Sequence, residues 1–405
     1  MSTTVADTNT VLAPPAHVAP RLEASTETAY ILLTATLLLS STLIIVGLLW
    51  DISWHTSIGR DTLWSPPHVL EQVGASLAGI ACGLLVLRTT FGGSPAQRSR
   101  SVRFWGFRGP LGAWVAIWGA FTMIFSVPFD NWWHNAYGLD VQIVSPPHIV
   151  LLLGMVAIQI GAMLLALSLQ NRSDERHATQ IGIAYTFAAG VMIAMVGTTL
   201  SQYTLTPNVW HRSFTYRVAA VAFPLLLVAV ARAGRLRYPA TLAAAFYMAV
   251  YLVPQWIMVQ FPATPRLTPI LNPVTHLVAV RFPLVLIVPA LGLDLALRRW
   301  DRLGEWKLAA LLGTVFVAVM LAVHWPFGTF LVQSPLAQND FFLANHWGYQ
   351  TIISARLRQF RGENALFDTW NPTLFLRGMG LAVVFAILSA RVGLAWGNWM
   401  RRVRR

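Results

Sequence analysis

The chain reads as an all-α polytopic membrane protein of about ten transmembrane helices, and three observations predict it. Of its 405 residues 56% are hydrophobic and 11% charged, too few charges to cover a water-facing surface of this size. Apolar runs of about 20 residues, the length that crosses a bilayer, recur along the chain. Arginines gather at the ends of those runs, on alternate connections.

Spans are expected near residues 29–50, 69–88, 110–128, 148–169, 179–200, 214–231, 239–260, 275–297, 307–325 and 372–392. Residues 1–28, polar and rich in Ala, Thr and Pro, read as a disordered cytoplasmic tail. Residues 29–170 form a four-helix membrane region and 171–325 a five-helix one. Residues 326–371 form a long extracytoplasmic loop containing Asn345, His346, Trp347, Tyr349, Arg356, Arg358 and Arg361. Residues 372–405 supply the last span and a basic tail. Arg88, Arg98, Arg100, Arg103 and Arg108, then Arg232, Arg235 and Arg237, then Arg298, Arg299 and Arg302, and finally Arg401, Arg402, Arg404 and Arg405 mark one face as cytoplasmic, with both termini on it. The net charge of +13 is therefore a topology signal in a cell-membrane protein; no basic helix or aromatic-basic stripe points to nucleic acid. The single cysteine, Cys82, lies in an apolar run and reads as a small buried hydrophobe, which leaves no basis for disulfides or thiolate metal sites.

One motif occurs twice. Asp51, Trp54, His55, Gly59, Asp61, Ser65, Pro66, Pro67 and His68 recur in order as Asp130, Trp133, His134, Gly138, Asp140, Ser145, Pro146, Pro147 and His148. The offset is 79 through the aspartates and 80 from the serine on, so one residue is inserted. Each copy joins two spans and makes a helical hairpin with its turn on the extracytoplasmic side. Asp51 and His55, like Asp130 and His134, are four apart and share a helix face. His68 would lie about 20 Å further along a continuous helix, but Ser65-Pro66-Pro67 ends that helix and starts another. The return brings His68 toward Asp51 and His55, and His148 toward Asp130 and His134. Two imidazoles and a carboxylate are a metal-ligand set with open positions, so these six residues are the candidate metal ligands. The same ligand types suit copper, zinc and iron.

Asp61 and Asp140 sit between the two histidines of each copy, placed either to orient a ligand imidazole or to cap the following turn. Glu71 follows His68 by three on one helix face, where the second copy has Leu151, so the two sites are not equivalent. Trp54 and Trp133 read as interface aromatics or packing walls. His211, His276, His324 and His346 lie in or beside extracytoplasmic connections as weaker ligand candidates, and Arg281, inside a predicted span, needs a partner or a snorkelling route.

Ser53-Trp54-His55, Arg60-Asp61-Thr62 and His68 resemble the metal-site segment of the C subunit of the copper membrane monooxygenases, the particulate methane and ammonia monooxygenase family. One site in that family uses Asp, His four later and His thirteen beyond, the spacing of Asp51, His55 and His68. A neighbouring site uses Asn, then His after four and fourteen, the spacing of Asp130, His134 and His148 with Asp in place of Asn. The resemblance spans roughly residues 29–170 and implies copper, partner membrane subunits and oxidation of a small or hydrophobic substrate that arrives through the lipid. The substitution of Asp130 adds a negative charge, and some 230 further residues have no counterpart in the resemblance. Two other functions fit the same ligands: non-enzymatic binding or transport of a divalent metal, and a zinc-dependent membrane hydrolase using Glu71, Asp61 or Asp140 as base. Asp294 is the clear carboxylate in the later spans, which leaves transport with little to work with.

Overall fold

The computed structural model describes residues 24–99, 101–138, 145–172, 177–201, 205–353 and 371–404. Most of the N-terminal tail, Asp140, Arg356, Arg358 and Arg361 lie outside the described residues. The architecture is all-α. The helices are α1 (Ala24–Ser57), α2 (Pro66–Gly92), the short α3 (Pro95–Ser99), α4 (Leu111–Tyr137), α5 (Pro146–Gln170), α6 (Ala178–Ser201), α7 (Ser213–Ala233), α8 (Pro239–Met258), α9 (Ile287–Trp300), α10 (Glu305–Gln333) and α11 (Pro372–Met400). A small antiparallel hairpin, β1 (Val102–Phe104) and β2 (Phe107–Gly109), lies between α3 and α4. All the helices except α3 and α9, nine among the described residues, are long and apolar enough to cross a membrane.

The two motif hairpins are α1–α2 and α4–α5. Both pack closely because small residues meet where the helices touch, the usual solution when lipid provides no hydrophobic drive between helices. In α4 and α5, Gly112 faces Gly161 and Gly119 faces Gly154; a Cβ on any of the four would sit 2.5 to 2.8 Å from the opposing carbonyl oxygen. In α1 and α2, Ser40 Oγ donates to Gly74 O at 2.6 Å. Cys82 is buried between helices as a free thiol.

The span expected at 275–297 is built differently. Only Ile287–Trp300 is helical, 14 residues and too short to cross alone, and residues 277–286 approach it without helical structure. Pro283 removes an N–H and drives the residue before it out of the helical region, so the helix starts only beyond it. Non-helical backbone at membrane depth requires partners within the protein, and the neighbouring elements supply them. Val278 N–H donates to Ser57 Oγ at 2.7 Å, Tyr251 Oη donates to Arg281 O at 3.1 Å, and Val285 N–H donates to His324 Nε2 at 3.0 Å. His324 donates from Nδ1 to Met320 O at 2.9 Å, which fixes the tautomer that leaves Nε2 as acceptor. The guanidinium of Arg281 stacks on the Trp347 ring, 3.3 Å from its centroid. Helix α10 also runs to Gln333, eight residues past the expected end of its span, so the connection that follows begins at Ser334.

Asp294 has a structural use. Its carboxylate accepts from Ala240 N–H at 3.3 Å and from Thr241 N–H and Oγ1 at 2.8 and 2.7 Å, and so caps the first turn of α8.

His324→Ala leaves the buried Val285 N–H without its acceptor and is expected to lower stability by about 1–3 kcal/mol. Unfolding of the purified protein in mixed micelles measures this, and His324→Gln, which keeps an acceptor, should lose less.

Candidate metal centre

Each motif copy folds as its residues dictate. Helix α1 ends when the N–H groups of Ile58 and Gly59 both donate to Trp54 O, and Gly59 takes φ +87°, a left-handed conformation that costs glycine little. The chain reverses through residues 58–64, where Thr62 N–H donates to Ser65 Oγ at 2.8 Å and Trp54 Nε1 donates to Arg60 O at 2.9 Å. Ser65 then stands at the N-cap position of α2, its hydroxyl spent on the turn, and Pro66 and Pro67 open the helix. In the second copy α4 runs through Tyr137, Gly138 takes φ +90° with its N–H on His134 O, and Ser145 stands at the N-cap position of α5, ahead of Pro146, without a side-chain capping bond.

The reversals bring the candidate ligands together. In the first site His68 Nε2 lies 3.1 Å from Asp51 Oδ1 and 3.3 Å from Asp61 Oδ2, while His55 Nε2 lies 3.7 and 3.5 Å from the same two oxygens. In the second, Asp130 Oδ2 is 3.4 Å from His134 Nε2 and Asp130 Oδ1 is 3.5 Å from His148 Nε2. Within each group the ligand atoms all fall within 4.8 Å of one another. Four ligands at the 2.0–2.1 Å typical of zinc-bound nitrogen and oxygen are separated along a tetrahedron's edges by about 3.3 Å. The four distances of the first site bracket that value.

The ring nitrogens are turned for ligation. His68 Nδ1 is 2.9 Å from Thr62 O and His134 Nδ1 is 3.3 Å from Gly138 O. A carbonyl oxygen only accepts, so Nδ1 carries the proton and, in a neutral ring, Nε2 presents its lone pair to the carboxylates. Lone pair against carboxylate is repulsive until a cation or a proton sits between them. Among the described residues, Asp51 Oδ1 and Asp130 Oδ1 are buried atoms with no hydrogen bond of acceptable geometry, each beside an imidazole Nε2 of its own site. The donor chemistry fits a divalent metal at both sites.

Asp61 sets its oxygen beside the same Nε2 atoms that face Asp51, within reach of the convergence point as a candidate fourth donor, and the far ring nitrogen of His68 meets Thr62 O. The backbone carbonyls that orient His68 and His134 were invisible in the sequence, because any residue type supplies one. Glu71 is buried beside the first site; its side chain lies against Gly47, where a Cβ would meet Glu71 Cγ at 2.5 Å. Leu151 occupies the corresponding place in the second copy. Trp54 staples the turn through its indole N–H, and Trp133 packs at a tilt against Tyr137, 4.5 Å between centroids. The other histidines pair elsewhere: His211 Nε2 with Thr329 Oγ1, His276 Nδ1 with Thr275 Oγ1, and His346 Nε2 with Asp340 Oδ1, at 2.9 to 3.1 Å.

Both sites open on one cavity of about 660 Å3. Asp51, His55, His68 and Glu71 from the first copy and Asp130 and His148 from the second line it, together with Leu48, Leu152, Met155 and Gly348–Ile352. No family model, curated protein or solved structure matches the chain. The likeness to the monooxygenase C subunit thus rests on the motif residues alone.

Asp61 lies in the turn between two spans. Burial by itself would raise its carboxyl pKa, but the hydrogen bond from His55 and the charges of His55 and His68 outweigh burial and hold it below the ordinary value. Stability from such a group is present above its unfolded pKa, about 3.9, and is lost as pH falls through the lower folded one. In metal-free protein, Asp61→Asn is therefore expected to flatten the acid limb of a plot of unfolding midpoint against pH. An unchanged acid limb would show that Asp61 contributes nothing to it.

Proposed function

We propose that this membrane protein binds copper at its two Asp/His centres and serves as the C-subunit-like component of a membrane monooxygenase acting on a hydrophobic substrate. The observation that carries the reading is the shared cavity: residues of both metal-ligand groups line one space together with aliphatic and hydroxyl side chains. Ligand pockets of this size bury most of a small molecule and orient it with a few polar groups. Here the polar groups include the candidate ligands beside Ser126, Thr198 and Thr199, and an apolar substrate would lie against Leu48, Leu152 and Met155. The second site presents three donors among the described residues and is partly open to the cavity, which suits it to hold a metal with a free position. A redox metal there supplies the chemistry that activates dioxygen. In the overall reaction one oxygen atom enters the substrate and the other leaves as water, with two electrons from a reductant and two protons.

The arginine distribution supports an orientation with both termini in the cytoplasm and the metal centres at the extracytoplasmic face. Partner membrane subunits, implied by the resemblance, would supply electrons. The tetrahedral spacing of the first site favours a second reading, a zinc-dependent membrane hydrolase in which Glu71 serves as base. Metal transport is less favoured, because Asp294 is engaged in capping α8.

The two enzymatic readings draw oxygen from different sources. Native membranes supplied with copper, a reductant and a hydrocarbon under 18O2 should yield a labelled alcohol, and His134→Ala or His148→Ala should cut the yield by roughly 10-fold or more. Label arriving only from 18O water, with zinc in place of copper, would replace oxidation by hydrolysis. Labelled product unaffected by either variant would remove the centres from the reaction.

A further inference from the structure

The second half of the chain grips the first metal centre, and it does so at one turn. Thr56 O accepts from Tyr349 N–H at 3.1 Å, Ser57 Oγ accepts from Val278 N–H at 2.7 Å, and Ile58 O accepts from Arg266 N–H at 2.8 Å. The next residue, Gly59, lies under the Tyr349 phenol: a Cβ at Gly59 would come within 2.8 Å of the ring's Cζ and closer still to its hydroxyl oxygen. Tyr349 is itself held, its carbonyl accepting from Leu271 N–H at 2.8 Å and Asn272 N–H at 2.9 Å, and it is 3% exposed. Four consecutive residues, 56 to 59, are therefore fixed by chain more than 200 residues away in sequence.

These four residues and Arg60 separate His55, on the helix, from Asp61, on the irregular turn. His55 needs little help, since α1 fixes its backbone. Asp61 has no helix to hold it, and keeping its oxygen within 3.5 Å of two imidazoles costs conformational entropy unless the turn is ordered beforehand. The repeat provides an internal contrast. Gly138 matches Gly59 in sequence and in φ, yet among the described residues nothing lies within 4 Å of where its Cβ would be. The left-handed turn thus belongs to the motif, and among the described residues the clamp is found at the first copy.

We infer that Tyr349 is a positioning residue that, by seating on Gly59, holds Asp61 in place as the fourth ligand of the first metal centre. The inference rests on the metal-binding reading and adds to it a role for the chain beyond the two hairpins. The donors of the first centre become four because a distant segment orders the turn between them.

Cobalt(II) reports the ligand set through its visible spectrum, intense when four-coordinate and weak when six-coordinate, and full-length protein carrying His134→Ala and His148→Ala confines it to the first centre. In that background the four-coordinate spectrum is expected. Tyr349→Ala should weaken both the spectrum and the affinity, the latter by roughly 10-fold or more, as for other residues that orient ligands. Tyr349→Phe, which keeps the ring on Gly59, should preserve both, and so should Gly138→Ala, which strains the equivalent turn at the second centre. Asp61→Asn should reproduce the Tyr349→Ala spectrum, with little further loss when the two are combined, because both act through the same ligand. An unchanged spectrum and affinity in Tyr349→Ala, or additive losses in the double variant, would overturn the positioning role while leaving metal binding intact. Absence of any cobalt spectrum in the parent background would remove the metal reading at this centre and the inference with it.

Discussion

The structure turns on the crowding of like electrostatic character at the first motif. Asp51 and Asp61 bring ligand oxygens within 4.8 Å of each other and of two imidazole nitrogens. At an effective dielectric constant of about 20, two unit charges that close repel by roughly 3.5 kcal/mol. A cation or protons at the centre reverse the sign, and the same atoms become its ligands. A proton on an imidazole would have the same effect, and metal binding would displace it, which links loading to pH. Groups of this kind are expensive near a membrane and are a mark of function when they occur there.

The rest of the fold makes the crowding possible. Glycines at the α4–α5 contact let the hairpin arms approach until Asp130 and His148 meet, and Gly47 makes room on α1 for Glu71. The interrupted crossing at 277–286 is the other expense. A regular helix there would need no outside partners, whereas the extended chain donates to Ser57 Oγ and His324 Nε2 and accepts from Tyr251 Oη. One of those bonds ends on the metal helix itself. The interruption therefore places the second half of the molecule against the turn that carries Asp61.

Much of this was legible in the sequence. Apolar runs and prolines located the helices, and the repeated Ser-Pro-Pro told where each hairpin returns, so that Asp51, His55 and His68, and their counterparts, were placed as neighbours from spacing alone. The interrupted span was misread because residues 275–297 are apolar enough to cross, and hydropathy does not distinguish a helix from an extended segment whose N–H groups find side-chain partners. Pro283 was the available signal. Asp61 as a donor, and Tyr349 as its support, depend on contacts between segments far apart in the chain, which periodicity and motif spacing do not encode. The carbonyls of Thr62 and Gly138 belong to the same class.

The most direct test of the account is a metal count on purified protein by mass spectrometry, in wild type and in chains lacking His55 and His68, or His134 and His148, or all four. The geometry predicts one ion per intact motif copy, with each pair of substitutions removing its own ion and the quadruple variant carrying none. Metal content that ignores the substitutions, or wild-type protein that holds no ion above background after reconstitution with copper or zinc, would mean that the two converging Asp/His groups are structural and that the central claim is wrong.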